Sequence, residues 1–591
     1  MASSDNGVWA AGLRRMAPVV AVLALWALGA WHIVTWLRLD NTPPPWDSAW
    51  HLGYGLVYGA YLDRLSLVDA WAGLGATSTY YPPFVHFCAA LCWRLCGTVQ
   101  SAWPGLSTAD LGTLANLFFL ALLLGGTYAL GARCYGRRAG VLAAFLALCY
   151  PVLAAHSRLF LLDFPLTGLM AATLAVLAAS RGLTNKVWIW PLGMLASAAM
   201  WTKWSFATLF LAPFAMALAE GVRRFRAGDD PELTRQRLGF NIAVVLAGMF
   251  LLAGPWYLSH FRQTLAQLHQ SDQTWLKDLD PVWYSPAGLT YYLRALCANQ
   301  LFAPFTLLGL FGAWYAWAHR DWLPGSGFLL GTLVAGLALL TLVPNKDPRF
   351  SMPLLPVLAV LSSSWLAPPP AGLRPRAGWV RVQRRLLAAV LALGLLEFQA
   401  VAYGLPWRLE RVGPQWAPLV GTEPHLARRP ATRAWPHEAL AADLARLAPA
   451  GGTIGVVPNR ADVNLLTLRY YVFRHLLPYL PNDPRLPRVV TPFPTVGGRQ
   501  RAASVDSLVG DQVDVLVLLD GPQGTDCALA DQTMQAIHDD WQRFVACYEL
   551  AASHPLPDGL WLRVYRRVAD APPVLAEDDS GAGAAEAADT E

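Results

Sequence analysis

Residues 82–97 read PPFVHFCAALCWRLCG, and whether this run crosses a membrane decides how the rest of the chain is laid out. It is apolar, but it is short, opens on two prolines and carries Arg94 near its far end. Crossing roughly 30 Å of hydrocarbon takes about 20 mostly apolar residues in a helix. Either a short span or a helix lying in the interface suits such a run.

Eleven other apolar runs read as spans, near 17–37, 109–131, 139–156, 163–180, 187–201, 204–219, 238–258, 301–318, 326–343, 352–367 and 385–403. Arg14 and Arg15 precede the first and place the N-terminus in the cytoplasm by the positive-inside rule. The other basic loops are GARCYGRRAG (131–140), SRGLTNK (180–186), EGVRRFRAGDDPELTRQR (220–237) and LRPRAGWVRVQRR (373–385). All four fall outside if 82–97 spans, and all four fall inside if it does not. The rule therefore makes 82–97 a juxtamembrane or re-entrant helix, in a chain of eleven spans with everything after Tyr403 outside.

Composition agrees with a polytopic membrane protein. The 591 residues are 55% hydrophobic and only 14% charged, with 26 tryptophans, a balance foreign to soluble domains of this length. A formal charge of +5 is too small for this size to point to nucleic acid. Its basic residues are read by where they fall relative to the spans.

On this topology the outer face receives PPPWDSAWH (43–51), the corners HSRLFLLDFP (156–165) and WTKWS (201–205), the loop 259–300, and PNKDPRFS (344–351). Those segments carry Asp47, Arg158, Asp163, Lys203, Arg262, Lys346 and Arg349. Ionisable residues at membrane depth are functional candidates because burying them unpaired is expensive. A carboxylate can take the proton of an acceptor hydroxyl. Arginine and lysine can hold a phosphate and stabilise charge developing on it as it departs. Unlike glycoside hydrolysis, which needs a second carboxyl to protonate a poor leaving group, departure of a phosphate needs one base. The other carboxylate is then free to orient the sugar or the cations.

Asp47 with SAWH, YYPPF (80–84), RLFLLDFPL (158–166), TK (202–203), GPWY (254–257) and NKDPRFSMPLLP (345–356) occur in an order that resembles glycosyltransferase family 39. That group of protein O-mannosyltransferases and aminoarabinose transferases has the GT-C fold. The resemblance covers about residues 17–405. It implies transfer of a sugar, with inversion, from a polyprenyl-phosphate donor to a lipid, glycan or protein acceptor on the non-cytoplasmic side. It also implies a membrane-associated helix in the first outer loop. By the matching positions, Asp47 would be the catalytic base and Asp163 the acid of the second outer corner. Arg158, Lys203, Lys346 and Arg349 are the candidates for binding the donor phosphate. The chain departs from the family pattern in two places: the common Asp-Glu pair is Asp47-Ser48, and the lysine often preceding the two prolines is Tyr81. The first leaves one carboxylate in that loop, and the second speaks against an acceptor that is itself a phosphate.

Each candidate has a structural alternative. Asp47 can cap the helix that begins after the prolines, and capping does not exclude catalysis. His51, one turn on, can orient Asp47, join it at a metal, or simply pack. Asp163 suits a helix N-terminus, Arg158 can pair with Asp163, and Lys203 and Arg349 can be interfacial anchors. Tyr81 and Arg262 are neighbours of the candidate site. No cluster of metal-ligand spacing is present, so neither a metal nor another cofactor is expected. Cys88, Cys92 and Cys96 share a helix face and read as small packing residues.

After Tyr403 the composition turns soluble. A helical pattern HEALAADLARLA (437–448), GGTIGVV (451–457), a helix near 461–476, and strands near 488–491, 513–519 and 560–566 point to a small α/β domain with a partly parallel sheet. Its glycines follow the wrong order for a dinucleotide site, so a role in covering the site or meeting the acceptor is expected. Cys527 and Cys547 in this outer domain are candidates for a disulfide. The chain thus divides into a cytoplasmic 1–16, a membrane domain 17–404, an extracytoplasmic domain 405–570 and an acidic tail 571–591 without an apolar core. The first span lacks a following cleavage site and is retained. The expected residence is a bacterial-type inner membrane. The competing class is a transporter or flippase for a lipid-linked or anionic substrate. Its charges would sit near the midplane, often in internal repeats, whereas here they collect at span ends without a repeat.

Overall fold

The computed structural model describes residues 2–63, 73, 77–78, 80–97, 105–228, 234–271, 280–369, 377–403, 429–477, 483–496, 499–523 and 528–568. Contacts divide the chain into two units, residues 1–41 with 54–432, and residues 42–53 with 433–591. The segment around Asp47 therefore groups with the C-terminal unit, whereas the sequence reading placed it inside the membrane domain.

Each of the eleven apolar runs contains helix. Among the described residues seven helical stretches are long and apolar enough to cross a membrane: Met16–Leu39, Thr108–Tyr135, Ser205–Ala227, Arg235–Ser259, Tyr291–Ala318, Pro348–Leu366 and Ala377–Tyr403. The protein is an integral membrane protein. Shorter apolar helices include Phe84–Cys96, Asp163–Ala179 and Ser326–Leu342. At 1.5 Å per residue the Phe84–Gly97 helix, 14 residues long, reaches about 21 Å, less than the hydrocarbon thickness. The run 139–156 is two helices, Arg137–Cys149 and Pro151–His156. They part at Tyr150 because Pro151 has no N–H to continue the ladder and sits instead at a new first turn.

Small residues set the packing of the first unit. Helix Asn116–Tyr135 lies against Asp163–Ala179 so closely that a Cβ on Gly126 would stand 2.5 Å from the Ala172 nitrogen, and one on Gly168 2.5 Å from the Phe119 carbonyl oxygen. Lipid tails are as apolar as leucine, so membrane helices associate through such close backbone approach. The outward face of Arg235–Ser259 exposes Phe240, Phe250, Leu251 and Leu258, as a lipid-facing helix should. The Asp163–Ala179 helix is buried along nearly its whole length, Asp163 included.

The second unit is a five-stranded sheet in the order β2-β1-β5-β7-β6. β1 is Thr453–Val456, β2 Arg488–Val490, β5 Val515–Asp520, β6 Tyr548–Pro555 and β7 Trp561–Arg567. A separate two-stranded ribbon joins β3 (Thr495–Val496) and β4 (Arg499–Gln500). β1 runs parallel to β2 and β5, while β7 is antiparallel to β5 and β6. Helices cover both faces, so β1 is buried throughout and β5 up to Leu519. Leu440, Leu444 and Leu468 fill one face, and Leu508, Ile537 and Phe544 the other. Strand β6 and the helices Ala528–Asp539 and Trp541–Cys547 are additions to the elements anticipated from sequence.

Candidate functional site

In the first unit five of the six ordered motifs meet at one turn, Met200–Lys203, between the helices Ile189–Met200 and Ser205–Ala227. The Lys203 Nζ donates to Asp163 Oδ1 at 2.7 Å, with side chains 11% and 7% exposed. The ammonium also stands 5.0 Å from the centroid of the Phe350 ring, which brings in NKDPRFS. The Trp201 carbonyl accepts from the Phe84 N–H at 3.2 Å, joining YYPPF. The Tyr257 hydroxyl of GPWY donates to the Met200 carbonyl at 2.7 Å.

Asp163 opens its helix with Pro165 two residues on. The first-turn N–H groups and the helix dipole favour a carboxylate there, but the side chain turns to Lys203. Arg349 and His156 are within electrostatic reach of the same carboxylate. Arg349 belongs to the short 3-10 helix Pro348–Leu354, capped by Asp347. The Asp347 carboxylate accepts from the Arg349 backbone N–H at 2.8 Å and from Nε and Nη2 at 2.9 and 2.7 Å, so it fixes the guanidinium plane. Gln300, fully buried, pins this element by donating to Ser351 Oγ at 2.9 Å and to the Pro348 carbonyl. Its own Oε1 has no partner among the described residues. His156 is buried, its Nδ1 without a hydrogen-bond partner among the described residues, and Arg349, Asp163, Asp347 and Arg158 surround it at electrostatic range. The cluster thus holds two carboxylates, Asp163 and Asp347, two cations, Lys203 and Arg349, and one imidazole.

Arg158 and Lys346 have other work. Two Arg158 donations go to the Val401 and Ala402 carbonyls, at 3.2 and 3.5 Å, and its guanidinium lies 4.4 Å from the Trp36 ring centroid. It ties the end of helix Ala377–Tyr403 to the first helix, while Asp163 takes Lys203 as its ion pair. Lys346, expected at the donor phosphate, instead places Nζ on the carbonyls of Leu340, Thr341 and Val343. Helix Ser326–Leu342 leaves its last carbonyls without intrahelical partners, and a lysine just beyond satisfies them. Tyr81 is half-buried, its N–H donating to Ser78 Oγ at 3.0 Å, and Arg262 is exposed on helix Phe261–Ser271.

Sequence reasoning missed His156, Gln300 and Asp347 as members of the cluster. The available signals were a lone Gln just before the apolar run 301–318 and an Asp two residues before an Arg.

In the second unit Asp47 occupies the first turn of helix Trp46–Asp63 and is half-buried. The preceding prolines end the chain's extended approach, and Trp46 takes φ +27° as the helix starts. The Ser48 N–H donates to the Pro45 carbonyl at 2.8 Å. His51 is buried, its ring parallel to Trp50 at 6.4 Å. The segment is fastened by Thr467, whose hydroxyl donates to the Pro44 carbonyl at 3.1 Å. Cys547 is buried, and Cys527, its suggested partner, lies outside the described residues.

No protein-family model matches the chain, and no curated protein matches it in sequence. Solved structures do match in fold. ArnT from Cupriavidus metallidurans bound to undecaprenyl phosphate superposes with a TM-score of 0.54 at 16% identity, over 94% of this chain and 99% of that one. Its apo form gives 0.52 at 15% identity, over 94% and 98%. The archaeal oligosaccharyltransferase AglB from Archaeoglobus fulgidus gives 0.49 at 12% identity, over 94% and 75%. On the two ArnT superpositions the chain has the GT-C fold. At such identities the likeness is one of fold.

Proposed function

We propose that the protein is a membrane glycosyltransferase that moves a sugar, with inversion, from a polyprenyl-phosphate donor to an acceptor hydroxyl on the non-cytoplasmic face. The observation that carries this reading is the meeting of five motifs at the Met200–Lys203 turn, where a buried Asp163–Lys203 pair adjoins Arg349 held by Asp347. A desolvated cation cluster suits a phosphate whose negative charge grows as its bond to sugar breaks. The fold shared with ArnT, whose structure contains undecaprenyl phosphate, supports the donor class. We assign this protein to a bacterial-type inner membrane, with the C-terminal unit extracytoplasmic.

In this reading Asp47 removes the acceptor hydroxyl proton as the oxygen attacks the anomeric carbon. The bond from that carbon to the phosphate oxygen breaks, and its electron pair leaves with the polyprenyl phosphate. Lys203 and Arg349 stabilise the departing anion. Asp163 and Asp347 are positioning residues, each holding one cation in place. A phosphate leaves readily as an anion, so no general acid is required. The acceptor is a lipid, glycan or protein hydroxyl.

The test supplies membranes containing the protein with several polyprenyl-phosphate sugars and follows release of polyprenyl phosphate. The wild type should turn over one donor, and Asp47→Asn should lose turnover by about 100-fold or more, within the range of general-base catalysis. Equal turnover by the variant removes Asp47 as base. Failure of the wild type with every donor removes the transferase reading.

A further inference from the structure

A second charged site lies at the other end of the Asp163–Ala179 helix. That helix has 17 residues and so carries the chain about 25 Å away from Asp163. There a cavity of about 720 Å³ opens between helices Asn116–Tyr135, Asp163–Ala179 and Ser205–Ala227 and the start of Ser326–Leu342. Arg133, Arg181 and Arg224 line it, and Leu177, Met216 and Phe328 give it apolar walls. Arg133 feels like-charge repulsion from both Arg181 and Arg224.

Basic residues at helix C-termini are ordinarily explained by the helix dipole, and Arg133 and Arg224 lie in last turns. That explanation covers each arginine singly but not their convergence. Glu220, a carboxylate in the lining, is already engaged, accepting from Arg223 at 2.8 Å and from Arg224 at 2.6 Å. Among the described residues neither Arg133 nor Arg181 pairs with a carboxylate. Arg133 and Arg181 are exposed at the mouth of this cavity, where their like charges lie together and are open to an anionic group.

The backbone carrying Arg181 is also preset. Arg181, Gly182 and Leu183 take φ of +52°, +74° and +63° in succession, a costly run for residues with a Cβ. It is held by the Ser180 hydroxyl, which accepts from the Leu183 N–H at 3.1 Å, and by Asn241, which donates to the Leu183 carbonyl at 2.8 Å. Gly182 and Gly221 touch backbone to backbone, since a Cβ on Gly221 would stand 2.2 Å from the Gly182 oxygen. A turn fixed this firmly holds its arginine at the cavity mouth.

We propose that this cavity binds the phosphate headgroup of an anionic phospholipid, with an acyl chain along Leu177, Met216 and Phe328. Apolar walls beneath a rim of guanidiniums match a phosphate attached to hydrocarbon better than a free phosphate. The basic loops mark this end of the bundle as cytoplasmic, and basic pockets between spanning helices on that side are suited to anionic headgroups.

The test uses the full-length protein in detergent, titrated with dioleoyl phosphatidylglycerol or dioleoyl phosphatidylcholine, with bound lipid counted by native mass spectrometry. Phosphatidylglycerol should be retained preferentially. The double variant Arg133→Gln/Arg181→Gln should weaken it by about 30-fold, roughly fivefold for each arginine, with phosphatidylcholine unchanged. Ala178→Phe keeps every arginine but fills the cavity beside Leu177, and should weaken phosphatidylglycerol as well. If one variant misfolds, the other decides. Wild-type affinity in either folded variant overturns the proposal. Displacement of the lipid by an equal concentration of inorganic phosphate would make this a soluble-anion site and overturn the lipid assignment.

Discussion

Lys203→Met keeps the apolar stem of the side chain and deletes the ammonium that lies 2.7 Å from Asp163. Asp163 is then a carboxylate only 7% exposed, in a place where water cannot replace the lost partner. Removing one member of a buried pair costs about 3 to 5 kcal/mol. Arg349 remains within electrostatic reach of Asp163, which puts the expected loss at the low end, about 3 kcal/mol or roughly 150-fold in the folding equilibrium. The double variant Asp163→Asn/Lys203→Met removes both charges, and its stability should return to within about 1 kcal/mol of wild type. Unfolding of wild type, the two single variants Lys203→Met and Asp163→Asn, and the double variant in one detergent at fixed lipid content completes the cycle. Turnover separates the structural part from the chemical one: the double variant should be stable yet inactive, because the cation that meets the departing phosphate is gone. A single variant that costs less than about 1 kcal/mol, or a double that costs the sum of both singles, would refute the reasoning, since neither fits a desolvated, mutually dependent pair.

Three further perturbations follow from the packing and the charges. Gly126→Ala should destabilise by about 1 to 3 kcal/mol through overpacking, since its Cβ meets the Ala172 backbone. Gly125→Ala, with nothing within 4 Å of its Cβ, should be neutral or stabilising, and thermal melts of the pair check the difference. Lys346→Met should lower the melting temperature and leave the donor KM unchanged, as expected of a cation that caps helix carbonyls. A raised KM with unchanged stability would return Lys346 to the donor phosphate. Burial holds His437 down to about 4 from 6.5, against the opposing hydrogen bond to the Asp462 carbonyl. The unfolded state therefore binds the extra proton between those values. The His437 contribution is complete above pH 6.5 and is lost as pH falls toward 4, by at most about 3 kcal/mol. Urea unfolding of the C-terminal unit in the full chain, read by pulse proteolysis at pH 7 and pH 5, should show a smaller acid loss in His437→Gln than in wild type.

The helices were legible from sequence because apolar run length and hydrocarbon thickness are the same physical constraint, and all eleven runs contain helix. Continuity was less legible: the runs 109–131 and 352–367 are also divided, and the break at Tyr150–Pro151 follows from a proline that was in plain view but lay inside an otherwise continuous apolar run. Charge was legible as location but not as task. Lys203 and Lys346 look alike in sequence, each a lysine beside a span end, yet one meets a carboxylate 40 residues away in the chain and the other turns back on the helix just behind it. The difference is local for Lys346: it follows the last turn of Ser326–Leu342 by a few residues, within reach of carbonyls that no intrahelical N–H can satisfy. For Lys203 it is long-range, set by how closely Gly126 and Gly168 let two backbones approach and so where the Asp163 end of the bundle comes to rest. That also explains why His156, Asp347 and Gln300 escaped notice. None is unusual for its own segment, and each gains its significance only when the 3-10 helix Pro348–Leu354 is laid against the start of the Asp163 helix. A cation at a span end is therefore better judged first against the unsatisfied carbonyls of its own helix. Those left over, Lys203 and Arg349 here, are the ones whose partner must be supplied by tertiary structure or substrate.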